Sequence, residues 1–299
     1  MTLLPNLRPR AAKVSNAAVP KSWSLAMVRG KSLAELSLAA KQTEHIFSAA
    51  DVTDLNAGFV ADPFAIQVAG EWFLFFEVMD NDIFRGALGV AKSRDLTSWE
   101  YLGLVFRPDF HVSYPFVFEH GGEHFMIPET RAAREVTIYR ARRFPFDWQP
   151  VKTILRGKYF DSSFVYYQDR YWLFAGWWSY WMKVFHAPHP LGPWQALTWP
   201  FGSCYAPGKA RPGGKAIVLD EQLYRFGQDN RRGYGHQLQA FQVTTLSPHW
   251  FAEKQLTPSP FLEPTGHGWN AGRMHHLDVH VLPDGELLGF IDGSPELVK

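Results

Sequence analysis

The sequence predicts an all-β fold, a five-bladed β-propeller, because a block of four short strands recurs about every fifty residues. Each block opens with an apolar strand, continues with a strand rich in aromatic residues, and has a third strand that ends near a small residue. A Trp opens the fourth strand. Such blocks pack side by side around one axis, so a ligand is expected where the innermost strands meet.

The first three blocks show the pattern in full. In the first block the strands are predicted at residues 60–66, 71–77, 86–93 and 99–106. The second block reads VSYPFVFE, EHFMIPE, EVTIYRAR and WQPVKTIL, and the third reads FDSSFVYY, RYWLFAG, MKVFHAP and WQALTWP. The first-strand cores of all the blocks begin near Asp62, Tyr114, Asp161, Arg211 and His275. Five first strands predict five blades.

The fifth block contains only two strands, predicted at residues 276–282 and 286–291, because few residues follow them. We therefore expect residues 23–29 to supply the outer strand of this blade, so that the ring is closed by an N-terminal strand. Residues 31–41 (KSLAELSLAAK) carry apolar side chains at helical spacing and predict a helix.

Composition narrows the classes of partner. The chain has 299 residues and a net charge of +1, which gives no electrostatic reason to expect nucleic acid as a partner. No apolar stretch is long enough for membrane insertion, and the N-terminus has no apolar segment of a secretion signal. With a single cysteine, Cys204, these features predict a cytoplasmic protein. We expect residues 1–20 to form a flexible tail and residues 21–299 a single domain.

Polar residues on the first strands are the first candidates for a site, because these strands surround the axis. Asp62 and Asp161 occupy equivalent places in blades one and three, and Tyr114 and Arg211 occupy that place in blades two and four. A buried charge is costly unless it is paired, and a ring of acids facing an arginine satisfies that condition. An Asp can also cap a local turn through its own side chain, and this alternative stays open for Asp62 and Asp161.

The fifth blade adds Arg273, His275, His276 and Asp278 to the predicted substrate-binding residues. His275 and His276 point to opposite faces of a strand, so only one of them can face the axis together with Asp278. A His and an Asp on one strand face are a possible metal pair, but two ligands do not make a site. The sequence therefore predicts neither a metal nor a cofactor.

The ends of the second strands carry a further polar set. Glu77 and Glu129 end these strands in blades one and two, and Gln228 and Asp229 end the strand in blade four. Glu129 follows an apolar strand, where a charge needs a partner. A sugar or sugar-phosphate ligand would use such groups, and the Arg-containing segment 227–235 (GQDNRRGYG) could hold a phosphate or be a solvated loop.

Aromatic residues make up 16% of the chain, and most are expected to pack between blades. The loop AGWWSYWM is different, because four aromatic residues follow one another within five positions. Two alternatives stay open for this loop. Trp177 and its neighbours could stack on a sugar, or they could fill the gap between adjacent blades.

A set of motifs resembles a known family. In order along the chain they are DVTDLNAGFVADPF, FFE, HVSYPFVFE, MIPE, FDSSFVYY, KARPGG, LYRFGQD, YGHQ and RMHHLDVH. Over residues 23–293 they resemble the N-terminal propeller domain of glucosamine inositolphosphorylceramide transferase and its bacterial homologues. The Asp-Pro at Asp62, with the later pattern Ala91, Ser93, Asp95 and Trp99, more distantly resembles the five-bladed propellers of glycoside hydrolase family 43.

The resemblance implies roles for individual residues. In family 43 the Asp-Pro aspartate is the base or nucleophile, which corresponds to Asp62, and the blade-three aspartate tunes the acid, which corresponds to Asp161. The family's general acid is a Glu on a later blade, where this chain has Arg211, so Glu129 is the predicted substitute. In the plant-type transferase, glycosyl transfer belongs to a separate C-terminal domain, so transferase activity is not expected of the propeller.

Glycoside hydrolysis needs two carboxyl groups, one to protonate the leaving oxygen and one to activate water or attack carbon. Asp62, Glu129 and Asp161 supply these residue types. We therefore predict a carbohydrate-active protein, a glycoside hydrolase-like enzyme acting on a glycoside or modified sugar. The alternative is a non-catalytic glycan-binding module that partners a separate glycosyltransferase. A scaffold that uses the propeller rim has no sequence support beyond the fold.

Overall fold

The structure, a computed structural model, describes residues 22–178, 180–198, 203–206 and 208–297. It begins with strand β1 (Ser24–Gly30), helix α1 (Leu33–Ala39) and strand β2 (His45–Phe47). The Ser32 hydroxyl accepts a hydrogen bond from the Glu35 backbone at 3.3 Å and caps α1, whose Leu33 and Leu36 are buried. The predicted tail, residues 1–20, lies outside the described residues.

Four antiparallel sheets follow in chain order, each built from consecutive strands. Blade one contains β3 (Ala57–Val68), β4 (Glu71–Asp80), β5 (Arg85–Ser93) and β6 (Glu100–Phe106). Blade two contains β7 (Ser113–His120), β8 (Glu123–Glu129), β9 (Glu135–Arg143) and β10 (Phe146–Arg156). Blade three contains β11 (Tyr159–Tyr167), β12 (Arg170–Trp177), β13 (Trp181–Ala187) and β14 (Gln195–Ala196), and β15 (Ser203–Tyr205) also pairs with β13.

Blade four contains β16 (Ile217–Leu219), β17 (Gln222–Asp229), β18 (Gln237–Ser247) and β19 (Trp250–Gln255). Blade five begins with β20 (Leu277–Val281) and β21 (Leu287–Gly293). Short 3-10 turns occupy Ala49–Asp51, Arg131–Ala133 and Gly268–Asn270. The predicted five-bladed propeller is therefore confirmed. The first strand of blade four starts later than predicted, because residues 211–213 contribute only an isolated bridge from Pro212 to Gly227.

The N-terminal segment completes blade five, in the order β20–β21–β1–β2. The predicted closure is confirmed, with one difference. Strand β1 is the third strand rather than the outermost one, because β2 pairs with its free edge. Seven residue pairs join β1 to β21, from Ser24 opposite Gly293 to Gly30 opposite Leu287. This pairing gives blade five four strands built from both ends of the chain and covers the edge of β21.

Aromatic and aliphatic side chains fill the spaces between neighbouring blades. One cluster includes Leu25 of β1, Phe47 of β2, Phe76 of blade one and Phe290 of β21, all buried. The rings of Phe47 and Phe76 lie 4.8 Å apart. Blade packing therefore accounts for most of the aromatic content, and the N-terminal strands contribute to the core that joins the last blade to the first.

This packing predicts the effect of truncating Leu25. Leu25→Ala should lower the free energy of unfolding by about 2–5 kcal/mol, because it removes a fully buried side chain and leaves a cavity. Leu38→Ala, at a side chain that is 62% exposed, is the control and should change it by less than about 0.5 kcal/mol. Urea unfolding measures both, and equal effects would contradict the closure described here.

Candidate functional site

Three first strands bend at the same place. Asp62, Tyr114 and Asp161 have positive φ angles of 53°, 49° and 47°. Strand pairing shifts register beside each of them, between Ala61 and Phe64 in blade one. A non-glycine residue in this conformation costs about 1–3 kcal/mol, which the surrounding structure must offset. The bulges place three equivalent, buried side chains at the axis, as the stacking of the repeats predicts.

Several of the predicted residues meet there with others that sequence reasoning missed. We call this set the axial cluster, and it consists of Asp62, Glu77, Tyr114, Glu129, Asp161, Arg211, Gln228, Tyr234, His275, His276 and Asp292. Its members come from all five blades and the loop after β17.

Arg211 is the cation at the centre of these contacts. Its Nε donates a hydrogen bond to the Asp161 carboxylate, and its Nη2 donates a second one at 3.2 Å. Gln228 Nε2 donates to the same carboxylate at 2.8 Å. Arg211 Nη2 also lies 3.7 Å from Glu129 Oε2. One guanidinium thus joins the acids of blades two and three, and its side chain is 21% exposed.

Glu129 ends β8 of blade two, and Glu77 lies three residues before the end of β4 in blade one, so that strand runs further than predicted; each glutamate is opposite the start of a bulge. Burial raises the pKa of Glu129 well above its usual value, and the charge of Asp161 raises it further, although Arg211 opposes the shift. Burial and then the charge of Asp62 likewise raise the pKa of Glu77. Both carboxyls therefore hold a proton to higher pH than an exposed glutamate, as a proton donor requires.

The blade-five side of the cluster is organised by Asp292, which sequence reasoning missed. Its carboxylate contacts His275 Nδ1 at 2.9 Å and accepts a hydrogen bond from the Asp62 backbone N–H at 3.1 Å. Burial alone would lower the pKa of His275, but the charge and hydrogen bond of Asp292, together with the charge of Asp62, outweigh burial and raise that pKa. The sequence GFIDG carries the missed signal, because Asp292 lies near the end of the second strand of its blade, as Glu77 and Glu129 do.

Two aromatic residues hold His275 in place. The Trp23 ring stacks on its imidazole at 4.2 Å, and the Tyr234 hydroxyl hydrogen-bonds with its Nε2 at 3.2 Å. Tyr234 is 46% exposed, so this side of the cluster reaches the surface. The segment 227–235 therefore contributes Tyr234 to the cluster, while its Arg231 pairs with Asp229 at 2.6 Å.

Four buried side chains of the cluster have atoms without a hydrogen-bond partner in the described part of the chain. The atoms are both ring nitrogens of His276, Asp62 Oδ1, Glu129 Oε2 and Gln228 Oε1. His276 Nδ1 lies 3.5 Å from Asp62 Oδ1, and the His276 ring packs edge-on against Phe64 and Tyr114. Buried polar atoms normally find partners, so these orphans mark where a ligand's hydroxyl groups or water would bind.

Asp62, His275 and Asp292 are the described residues that could group around a metal, with ligand atoms within 4.8 Å of one another. Both nitrogens of His275 are already engaged, one by Asp292 and one by Tyr234. Asp292 also accepts the backbone N–H groups of Asp62 and His275. A metal would have to displace these bonds, so the donor set fits an internal hydrogen-bond network better than an ion.

Two predicted residues, Asp229 and Asp278, do not join the cluster. Asp229 follows Gln228 on β17, so strand alternation turns it away, towards Gln237 at 2.9 Å. Burial opposes ionisation of Asp229, but hydrogen bonds from Arg231 and Gln237 outweigh it and lower its pKa to about 2. Asp278 lies further along the axis.

The Asp278 carboxylate contacts Lys215 Nζ at 2.9 Å and His280 Nε2 at 2.8 Å. Burial opposes its ionisation, but Lys215 and His280 outweigh burial and keep the pKa of Asp278 well below its usual value. The negative charge of Asp278 is therefore paired within the protein. The order of residues in the sequence did not show that Asp278 lies further along the axis than the cluster.

Arg273 and Trp177 also lie elsewhere. Arg273 Nε donates a hydrogen bond to the Glu296 carbonyl at 3.2 Å near the surface. The Trp177 ring lies 4.0 Å from Lys183 Nζ and lines a cavity beside the cluster. Trp178, the next residue, is 70% exposed, so this loop does not serve only to fill the gap between blades.

The raised pKa of Glu129 predicts a pH-dependent stability difference for Glu129→Gln. Above about pH 4.5 the unfolded chain loses this proton before the folded one does, so the free energy of unfolding of the wild type falls as pH rises. The glutamine cannot titrate. Urea unfolding from about pH 5 to 8 should therefore show the variant gaining stability relative to the wild type.

Glu44→Gln, at an exposed side chain, is the matched control and should follow the wild-type profile. The buried environment assigned to Glu129 is contradicted if the difference in free energy of unfolding between Glu129→Gln and the wild type does not change with pH. It is also contradicted if the variant loses stability relative to the wild type as pH rises.

The comparisons with known proteins agree with this fold. The family described as "Glucosamine inositolphosphorylceramide transferase 1, N-terminal" matches residues 22–294. The glucosamine inositolphosphorylceramide transferase 1 of Arabidopsis thaliana is 34% identical over 267 residues, which are 84% of this chain and 34% of that protein. The protein of the same name from Oryza sativa subsp. japonica is 31% identical over 91% of this chain and 40% of its own length. The chain spans about a third to two-fifths of these relatives.

Solved structures of glycosidases share the fold at low identity. An α-L-arabinofuranosidase from Clostridium thermocellum has a TM-score of 0.55 at 11% identity, over 74% of this chain and 78% of its own. A glycosyl hydrolase from Bacteroides ovatus has a TM-score of 0.58 at 15% identity, over 80% and 85%. No helix in the described residues is long and apolar enough to cross a membrane. The chain belongs to the family of the N-terminal region of glucosamine inositolphosphorylceramide transferase 1, and its fold is the five-bladed propeller of family 43 glycosidases.

Proposed function

We propose that the protein is a glycoside hydrolase-like enzyme that acts on a glycoside or modified sugar at the axial cluster. The observation that carries this proposal is the Glu129 carboxyl, which is buried and has a raised pKa, and whose Oε2 lies 3.7 Å from Arg211 but accepts no hydrogen bond from a described residue. A proton donor at neutral pH needs such an environment. The orphan Asp62 Oδ1 supplies the second carboxylate that the reaction requires.

In this proposal Glu129 protonates the leaving oxygen of the glycoside. Asp62 then attacks the anomeric carbon or activates a water molecule as a base. Asp161 raises the pKa of Glu129 by its charge, and Arg211 fixes the orientation of Asp161 through two hydrogen bonds. The Glu77 carboxyl, which also holds its proton, and His276 face the same space and would bind sugar hydroxyl groups.

The comparisons support a sugar ligand without specifying the reaction. The solved structures with this fold are named as glycosidases, and the relatives are named as a transferase of glucosamine. The chain matches only a part of those relatives, so their transfer reaction is not assigned to it. A glycosyltransferase partner and a cytoplasmic location stay predictions.

A glycan-binding module is the second candidate, and one observation favours it. The place of the family 43 acid is taken by Arg211, whose ion pair with Asp161 occupies both carboxylate oxygens. An arginine at this position can bind an anionic sugar substituent but cannot donate a proton in catalysis. In that case the orphan atoms of Asp62, Glu129 and His276 bind hydroxyl groups and the sugar leaves unchanged.

Turnover of aryl glycosides of xylose, arabinofuranose and glucosamine separates the two candidates. Asp62→Asn and Glu129→Gln should each lower kcat/KM by about 10²–10⁴-fold, because each removes a group that acts in the transition state. Glu44→Gln, remote and exposed, should retain wild-type turnover. If the wild type turns over none of these glycosides faster than Asp62→Asn does, the hydrolase proposal fails. Sugar binding by calorimetry then tests the module.

A further inference from the structure

A cavity of about 610 Å³ lies beside the axial cluster, between blades two and three. We call it the basic pocket, and it is lined by Arg131, Arg134, Lys158, Phe160, Trp177 and Trp178. Its three cations come from two places in the chain. Arg131 and Arg134 belong to the turn after β8, and Lys158 directly precedes β11. Lys183 of β13 does not line the cavity, but its Nζ lies 4.0 Å from the ring of Trp177, which does.

In the part of the chain that the structure describes, these cations have no carboxylate partner. None of Arg131, Arg134, Lys158 and Lys183 lies within 4 Å of a described carboxylate, whereas Arg211 and Arg231 are both paired. The positions that the structure does not describe contain no Asp or Glu. Three positive charges around one cavity, with that of Lys183 nearby, repel one another, so the pocket has an excess positive charge that an external anion would neutralise.

Aromatic rings hold the cations in place and connect the basic pocket to the cluster. The Phe160 ring lies 4.5 Å from the Arg131 guanidinium and 5.0 Å from that of Arg211. Phe160 directly precedes Asp161 on β11, so one ring separates the basic pocket from the axial acids. Trp177 and Trp178 meet edge to face at 6.2 Å and leave aromatic surface open to solvent. A ring-shaped ligand could pack on this surface.

We propose that the basic pocket binds the phosphate group of a phosphorylated sugar, whose ring extends towards the axial cluster. The charge count favours phosphate over carboxylate. A carboxylate carries one charge and is satisfied by a single arginine, whereas a phosphate monoester carries about 1.5–2 charges and three strong acceptor oxygens. This inference rests on the proposed function for the position of the sugar but not for the binding of the phosphate.

The test is isothermal titration calorimetry at low ionic strength with inorganic phosphate, glucose 1-phosphate, glucose 6-phosphate and glucuronate. The wild type should bind the phosphate esters, and added salt should weaken binding. Arg131→Gln with Lys158→Gln should weaken it at least about tenfold, because charge-assisted hydrogen bonds are lost. Lys158→Gln alone should give a smaller loss in the same direction. Arg142→Gln, at an exposed arginine near the far end of β9, is the control.

Co-sedimentation with vesicles distinguishes the source of the phosphate. Binding to phosphatidylcholine vesicles that contain phosphatidic acid, a lipid phosphate monoester, absent without it and lost in the double variant, indicates a lipid headgroup. Binding of the soluble esters alone indicates a soluble ligand. The proposal is overturned if no phosphate ester binds the wild type, if the double variant binds as tightly, or if glucuronate binds as tightly as glucose 1-phosphate. Asp62→Asn should keep the phosphate affinity, so loss of turnover and loss of phosphate binding are separate results.

Discussion

Arg211 donates two hydrogen bonds to Asp161 and joins blade three to blade four at the propeller axis. Removing one partner of such a buried pair costs about 3–5 kcal/mol, because the other charge is left uncompensated. The same guanidinium is the cation that offsets the neighbouring acids. One positive charge cannot neutralise Asp62, Glu77, Glu129 and Asp161 together, so some of these carboxyls must keep their protons. Burial raises the pKa values of Glu77 and Glu129, and the neighbouring negative charges, which Arg211 only partly offsets, raise them further.

The propeller supplies the geometry that brings the acids together. Each first strand faces the axis, and a bulge at Asp62, Tyr114 or Asp161 turns one side chain inward. Closure by β1 holds blade five against blade one, and Trp23, just before β1, stacks on His275. The closure and the site are therefore linked, since the segment that completes the last blade also supports the Asp292–His275 pair. The basic pocket lies one ring away from these acids, behind Phe160.

Repetition explains why much of this site was predictable. Equivalent positions in successive blocks identified Asp62, Tyr114 and Asp161, because the fold repeats the same bulge. Asp292 was missed because the comparison of second-strand ends stopped before the last blade. Contacts within one blade are harder to predict, because the repeat does not show them. Asp229, for example, pairs with Arg231, which lies two residues further along the chain. The basic pocket was not predicted either, because its cations lie on separate turns and no motif links them in sequence.

The most direct measurement is a crystal structure of the complex with a sugar ligand. Our account predicts a sugar ring between Asp62 and Glu129, with their carboxyl groups about 5–9.5 Å apart across the anomeric carbon. A separation near the short end would indicate retention, and one near the long end would indicate inversion. A sugar bound outside the axial cluster, or carboxyls on the same side of the ring, would contradict the account.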